Sequence, residues 1–351
     1  MKSFILLIFS ALLSLVVVEG LLRLFVSPSS LYATIHTAPE LNEWKNALRF
    51  WERYSPEVAS DAVRSFASYD PVLGWDFEQE GDRIKGDEDF ADTVAEGVTR
   101  ILAIGDSYTY GLDVAEQENF AAILAMIPDV EVLNMSIPGY GIDQAYLKYR
   151  DYGARYAPQV IIFGVYVSDY ERSSIGFTTF AKPVFIVNGD QIDLRSQVVP
   201  PPIAELQRVE RKIAQKIYLI EMLRNVQYKL RRGSAQREDF FNDMDPLITH
   251  VFRLLQGSLR ANQRLLIVHI PRAESFNEAE PLAQGMHRHL LAIYKALNLE
   301  VINLAEAFLV ENSAQEVYRN YYVHRKNGSV GHFSTRGHRR VAELITAELG
   351  L

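Results

Sequence analysis

The chain has no cysteine in 351 residues. That removes disulfides, cysteine-ligated zinc and thiol nucleophiles together, and it leaves the compartment open, since an exported protein folds without disulfides too. Positive charge is also short: 36 Lys and Arg stand against 44 Asp and Glu, a net charge of −8. Nucleic acid is thereby excluded as the main partner, because phosphate binding needs a basic surface. No glycine-rich loop of P-loop spacing occurs, and no cofactor is implied. His287 and His289 are two apart on an expected helix and point to different faces, so they do not make a metal pair. With 48% hydrophobic and 23% charged residues, the composition is that of a globular protein able to bury a large core.

Lys2 precedes an uncharged run from Ser3 to Val18, followed by Glu19, Arg23 and apolar residues to Val26. Read as one helix, this stretch is about 34 Å long, enough to cross a bilayer. Glu19 and Arg23 are four apart and would pair near the interface, which lowers their joint cost. Residues 1–26 are therefore expected to form an uncleaved membrane anchor. A cleaved signal peptide, for which Val18-Glu19-Gly20 is a poor site, and a buried core helix are the alternatives. The short basic end would stay in the cytoplasm and place the rest in the periplasm or outside the cell. Residues 27–97 are expected to form an extension packing on the main domain. It includes a helical pattern over Leu41–Tyr54, a turn before Gly74-Trp75 with the aromatic docked, and a charged loop over Gly81–Asp92.

From residue 98 the pattern becomes strand and helix in alternation. Strands are expected at Ile101–Ile104, Val130–Leu133, Val160–Val167, Arg264–Ile270 and Glu300–Leu304. Helices are expected at Phe120–Met126, Asp143–Tyr156, Pro281–Leu297 and Thr335–Leu349. Such alternation predicts an α/β fold with a mostly parallel five-stranded sheet covered on both faces. Residues 170–245 interrupt it as an insertion. They hold a hairpin around Asn188-Gly189 and a long helix from Pro201-Pro202 to Leu230. The charged face of that helix is either solvated or laid on an anionic membrane or over the active site.

Gly105-Asp106-Ser107 follows a strand that is apolar throughout, so Ser107 sits on a tight turn at the carboxyl edge of the sheet, where ligands bind in such folds. It reads either as a helix-capping serine or as a nucleophile. A hydroxyl nucleophile needs a base, and His332 or His338 supplies an imidazole near the C-terminus. The amides of Ser107 and Gly139 are candidate donors to an oxyanion. Asp106 reads as a structural hydrogen-bonding residue.

Four blocks together resemble the SGNH/GDSL hydrolase superfamily in its bacterial membrane-anchored form: Gly105-Asp106-Ser107-Tyr108-Thr109, Asn134 to Gly139, Gly164 to Asp169, and Gly331-His332. The resemblance runs from Tyr69 to Leu351 outside the insertion. It implies a flavodoxin-like three-layer sandwich and hydrolysis or transfer of acyl groups, often acetyl, on esters or acylated envelope glycans. It also implies Ser107 as nucleophile, His332 rather than His338 as base, and an oxyanion hole from Ser107, Gly139 and Ser168. The chain departs from the family twice. Ser168 stands where an asparagine is usual, and Ser329 and Val330 stand where the acid that orients the histidine is usual. Asp169, whose counterpart in the family is not the triad acid, is the candidate to be recruited in that role. The departures also admit a second reading, a catalytically silent relative that serves as a binding or scaffold module in envelope polysaccharide assembly.

Overall fold

The computed structural model describes residues 2–26, 68–76, 90–178, 180–189, 191–201, 215–230, 234–277 and 281–351. The expected helix at Leu41–Tyr54, most of the Gly81–Asp92 loop and residues 202–214 of the expected long helix lie outside the described residues. The described residues fall into two compact units. One holds the N-terminal helix and the helix Tyr218–Leu230; the other holds every strand.

In the first unit, Lys2–Phe25 is a single helix, of which Leu6–Phe25 has mean hydropathy 2.1 and is long and apolar enough to cross a membrane. Arg23 Nε donates to Glu19 Oε1 at 2.7 Å. The Glu19 carboxylate also accepts the amides of Tyr218 and Leu219 at 3.0 and 2.9 Å. It thereby satisfies two donors that the start of the helix Tyr218–Leu230 would otherwise leave open. This helix starts at Tyr218.

The second unit begins with a short hairpin of β1 (Ser68–Asp70) and β2 (Gly74–Asp76). The sheet follows: β3 (Thr99–Ile104), β4 (Val130–Asn134), β5 (Val160–Tyr166), then β8 (Arg264–Ile270) and β9 (Glu300–Asn303) after the small antiparallel pair β6 (Phe185–Asn188) and β7 (Gln191–Leu194). The sheet order is β4-β3-β5-β8-β9 and every pair is parallel. The three central strands are apolar and buried almost end to end. The edge strands β4 and β9 are half-buried, as only central strands of a covered sheet are enclosed on both faces. The α/β fold expected from the alternation is thus the one observed.

The expected hairpin is present: Asn188 pairs with Gln191 and the turn begins at Gly189, whose φ is +61°. Pro246 lies inside the helix Ser234–Ser258, which runs past the expected end of the insertion at residue 245. An internal proline costs about 3 kcal/mol, but Phe241, Met244, Ile248, Val251, Phe252 and Leu255 bury one continuous apolar stripe across it. The helix expected to run to Tyr156 is regular only over Ile142–Lys148, then widens over Tyr149–Gly153 and tightens over Ala154–Tyr156.

The layers approach closely beneath Ser107. A Cβ on Gly164 in β5 would overlap Thr109 Oγ1, and one on Gly105 would lie 2.5 Å from the same atom. The short helix Ser107–Tyr110 rests on the sheet through these two glycines. Gly164→Ala is expected to cost about 1–3 kcal/mol by overpacking. Thermal unfolding should show that loss and its partial recovery in Gly164→Ala/Thr109→Ala.

Candidate active site

Ser107 opens a one-turn helix, Ser107–Tyr110, which the pattern did not announce; Phe120–Leu124 is a separate helix. Asp106 caps it, with Oδ1 accepting the Tyr108 amide at 2.9 Å. Gly111 ends it in the left-handed region at φ +82°, and the amides of Gly111 and Leu112 return to the Ser107 carbonyl. Asp113 follows with φ +76°, a conformation that aspartate tolerates better than most residues. In eight residues the chain therefore leaves β3, turns once and doubles back.

Another hairpin closes on that turn. Its strands are β10 (Tyr322–His324) and β11 (Val330–Phe333), and its loop carries Arg325. His332 Nε2 lies 2.8 Å from Ser107 Oγ, and His332 Nδ1 lies 2.9 Å from Asp113 Oδ2. The same carboxylate oxygen accepts the His332 amide at 3.1 Å and Arg325 Nη2 at 2.6 Å. An ionised carboxylate only accepts, so the proton resides on Nδ1, and Nε2 is left to accept from the serine hydroxyl. Partial burial works against the charge on Asp113, but hydrogen bonds from the His332 ring, the His332 amide and Arg325 outweigh it. They hold its carboxyl below the ordinary range. Tyr108, itself buried, meets the His332 ring edge-on at 4.7 Å between centroids and stacks on Tyr166 at 4.6 Å, which fixes the plane of the imidazole.

The carboxylate that meets His332 Nδ1 is thus Asp113 and not the expected Asp169. Asp169 is committed elsewhere: Oδ2 accepts the Tyr166 amide at 3.0 Å and Oδ1 accepts Arg172 at 2.7 Å. Sequence reading missed Asp113 because it sought the acid beside His332 along the chain. The carboxylate instead stands six positions after the serine and meets the imidazole only through the fold. One signal was available in Gly331. A Cβ there would overlap Asp113 Oδ2 and lie 3.2 Å from Arg325 Nη2. Gly331→Ala should therefore push the carboxylate off Nδ1. A shift of about 1 Å lowers kcat by about 10²-fold, measurable as initial rates on a chromogenic acetyl ester with the melting temperature as control.

Gly139 lies in the loop after β4 with φ +86°. The Ile137 amide reaches the Gly105 carbonyl at 3.1 Å, which lays this loop against the serine turn. Trp75, fully buried, donates from Nε1 to Pro138 O at 3.4 Å, and Tyr140 donates its hydroxyl to Trp75 O at 2.6 Å. The Gly74-Trp75 segment, in which no chemistry was read, braces the glycine loop. Among the described residues, the amides of Ser107 and Gly139 have no acceptor. The Ser168 hydroxyl makes no hydrogen bond among the described residues and caps nothing.

The other histidines weighed from the sequence, His338, His287 and His289, make contacts of their own. His338 is buried in the first turn of the helix Thr335–Leu349, stacked on Phe120 and edge-on to Phe333. His287 Nδ1 meets the fully buried His269 at 2.7 Å, and burial, then the neighbouring His287, lower the His269 pKa to about 3. His289 turns instead to Asp245 at 2.6 Å. Among the described residues no cluster of His, Asp and Glu is arranged to hold a metal ion.

Several solved structures resemble the chain. A member of the lipolytic protein G-D-S-L family from Veillonella parvula is 12% identical at a TM-score of 0.40, over 70% of this chain and 95% of its own. An acetyl xylan esterase is 15% identical at 0.41, over 71% and 98%. A catalytic mutant of an acetylxylan esterase from Geobacillus stearothermophilus is 13% identical at 0.41, over 74% and 97%. No protein-family model matches the sequence, and no curated protein does.

Proposed function

We propose that the chain is a serine esterase or acyltransferase with Ser107 as nucleophile, His332 as base and Asp113 as the acid that orients it. The observation that carries this is the pair of distances about one imidazole: 2.8 Å to Ser107 Oγ and 2.9 Å to Asp113 Oδ2. The roles, not their order along the chain, define such a triad.

In the first half-reaction Ser107 Oγ attacks the ester carbonyl carbon while His332 Nε2 takes its proton. Asp113 keeps its negative charge beside the imidazolium that forms. The carbonyl oxygen becomes an oxyanion, for which the Ser107 and Gly139 amides are the donors. Collapse expels the alcohol, which takes the proton from Nε2 and leaves an acyl-serine. Water, or an acceptor hydroxyl in a transferase, then attacks with His332 again as base, and Ser107 leaves with the proton. Ser168 is a further donor in this reading if its hydroxyl turns toward the oxyanion.

The substrate class, a small ester or an O-acylated envelope glycan, follows from resemblance. The reading as a silent binding module rests on two departures, the acid and the asparagine; Asp113 beside His332 Nδ1 speaks against the first, while Ser168 still stands in place of the second. The helix Lys2–Phe25 is taken as the membrane anchor of an inner-membrane protein, with the sheet-bearing unit in the periplasm or beyond the cell. Fluorophosphonate labelling of the full chain tests the chemistry: it should be lost in Ser107→Ala and retained in His338→Ala, and a wild-type chain that neither labels nor releases acetate refutes it. Extraction by carbonate or salt alone refutes the anchor.

A further inference from the structure

Arg172 ends the short helix Asp169–Arg172 that follows β5, and its Nη1 reaches three acceptors at once. It donates to Asp106 Oδ2 at 3.0 Å, to Asp169 Oδ1 at 2.7 Å and to the Tyr140 carbonyl at 3.4 Å. These acceptors lie past the carboxyl ends of β3, β5 and β4, the three strands that adjoin in the order β4-β3-β5. Each has a place in the site. Asp106 caps the helix that Ser107 opens, Tyr140 directly follows Gly139, and Asp169 fixes the end of β5 through the Tyr166 amide.

The electrostatics make the cation necessary. Asp106 and Asp169 are 1% and 2% exposed, so neither is hydrated. Burial first, and then the charge of Asp106, push the Asp169 carboxyl well up, and Arg172 opposes both. Two desolvated carboxylates without a cation do not both stay ionised at close range. One must take up a proton or swing away, and either change releases a loop. The Asp106 side chain shows the consequence most directly. Oδ1 holds the Tyr108 amide while Oδ2 is held by Arg172, so rotation of this carboxylate moves the first turn that carries Ser107.

We infer that Arg172 is a positioning residue that clamps the Ser107 turn and the Gly139 loop in fixed mutual register by neutralising Asp106 and Asp169. This rests on the reading that Ser107 and Gly139 act on one ester. Arg172 acts through Asp106 and the Tyr140 carbonyl.

The test measures kcat and KM of the full chain on a chromogenic acetyl ester for three variants: Arg172→Met, Arg172→Met/Asp169→Asn and Arg172→Lys. Loss of the clamp lowers kcat of Arg172→Met by about 10²-fold, the scale of one misplaced oxyanion donor, and leaves KM within about threefold. Removing the second negative charge relieves the repulsion, so the double variant recovers at least about tenfold of that loss. Lysine keeps the charge and loses the fork, and stays within about tenfold of wild type. A loss expressed in KM, or a folded double variant that recovers nothing, overturns the proposal, since a guanidinium in contact with substrate behaves that way. If Arg172→Met does not fold, a double variant that folds and turns over supports the clamp. If all three variants fail to fold, Arg172 is needed for the whole domain and the proposal falls. A wild-type chain whose labelling does not depend on Ser107 refutes the esterase reading, a result distinct from any of these.

Discussion

Asp113→Asn is expected to lower kcat by about 10⁴-fold with KM nearly unchanged. The carboxylate accepts from Nδ1, so it dictates that Nε2 is the free base facing Ser107. An asparagine that turns its amide nitrogen toward Nδ1 reverses the tautomer, and Nε2–H then points at a hydroxyl it cannot deprotonate. Substrate binding does not use that proton, which is why the loss falls on kcat. The exposed half of the Arg325 ion pair contributes little by comparison. Acid stability gives a second readout. The folded pKa of Asp113 lies below that of the unfolded chain, so its stabilising contribution is complete at neutral pH and fades as pH falls below about 4. In the variant that part of the acid dependence of the melting temperature disappears. If kcat of Asp113→Asn instead stays within tenfold of wild type, the imidazole is oriented by another group.

Ser107→Ala is expected to have the larger effect, about 10⁶-fold in kcat, and His332→Ala an effect of the same size. The two are one catalytic unit: a serine without its base is a weak nucleophile, and a base without the serine has nothing to activate. The double variant should therefore be about as slow as either single one. Residual turnover in all three would come from donors that still polarise the carbonyl, about 10³-fold over water in other serine enzymes. Single-turnover acylation rates on one acetyl ester check this directly. If the two losses multiply, Ser107 and His332 do not act on the same proton.

The parts of the molecule legible in the sequence are those fixed by local pattern. β3, β5 and β8 are apolar over most of their length because they are enclosed on both faces, and such runs mark a parallel sheet before any partner is known. Gly105, Gly139 and Gly331 mark close approach or unusual backbone, and the polar residues beside them stand at strand ends. What local pattern could not carry is juxtaposition. Asp113 meets His332 across 219 positions of chain, and only the hairpin Tyr322–Phe333 brings them together. Trp75 likewise looked like an aromatic docked from an extension, and its use as a brace for the Gly139 loop depends on where that loop runs.

The hairpin Tyr322–Phe333 has one more consequence, best put mechanically. In the proposed triad the nucleophile and the acid both come from residues 107–113, and the base and the cation that braces the acid from residues 325–332. The constellation is a joint between two short rigid parts, not three side chains gathered from three independent places. A small rotation of the hairpin changes the distance from His332 to Ser107 and to Asp113 in the same stroke. Assembly of the site then has essentially one coordinate, the seating of the hairpin on the serine turn.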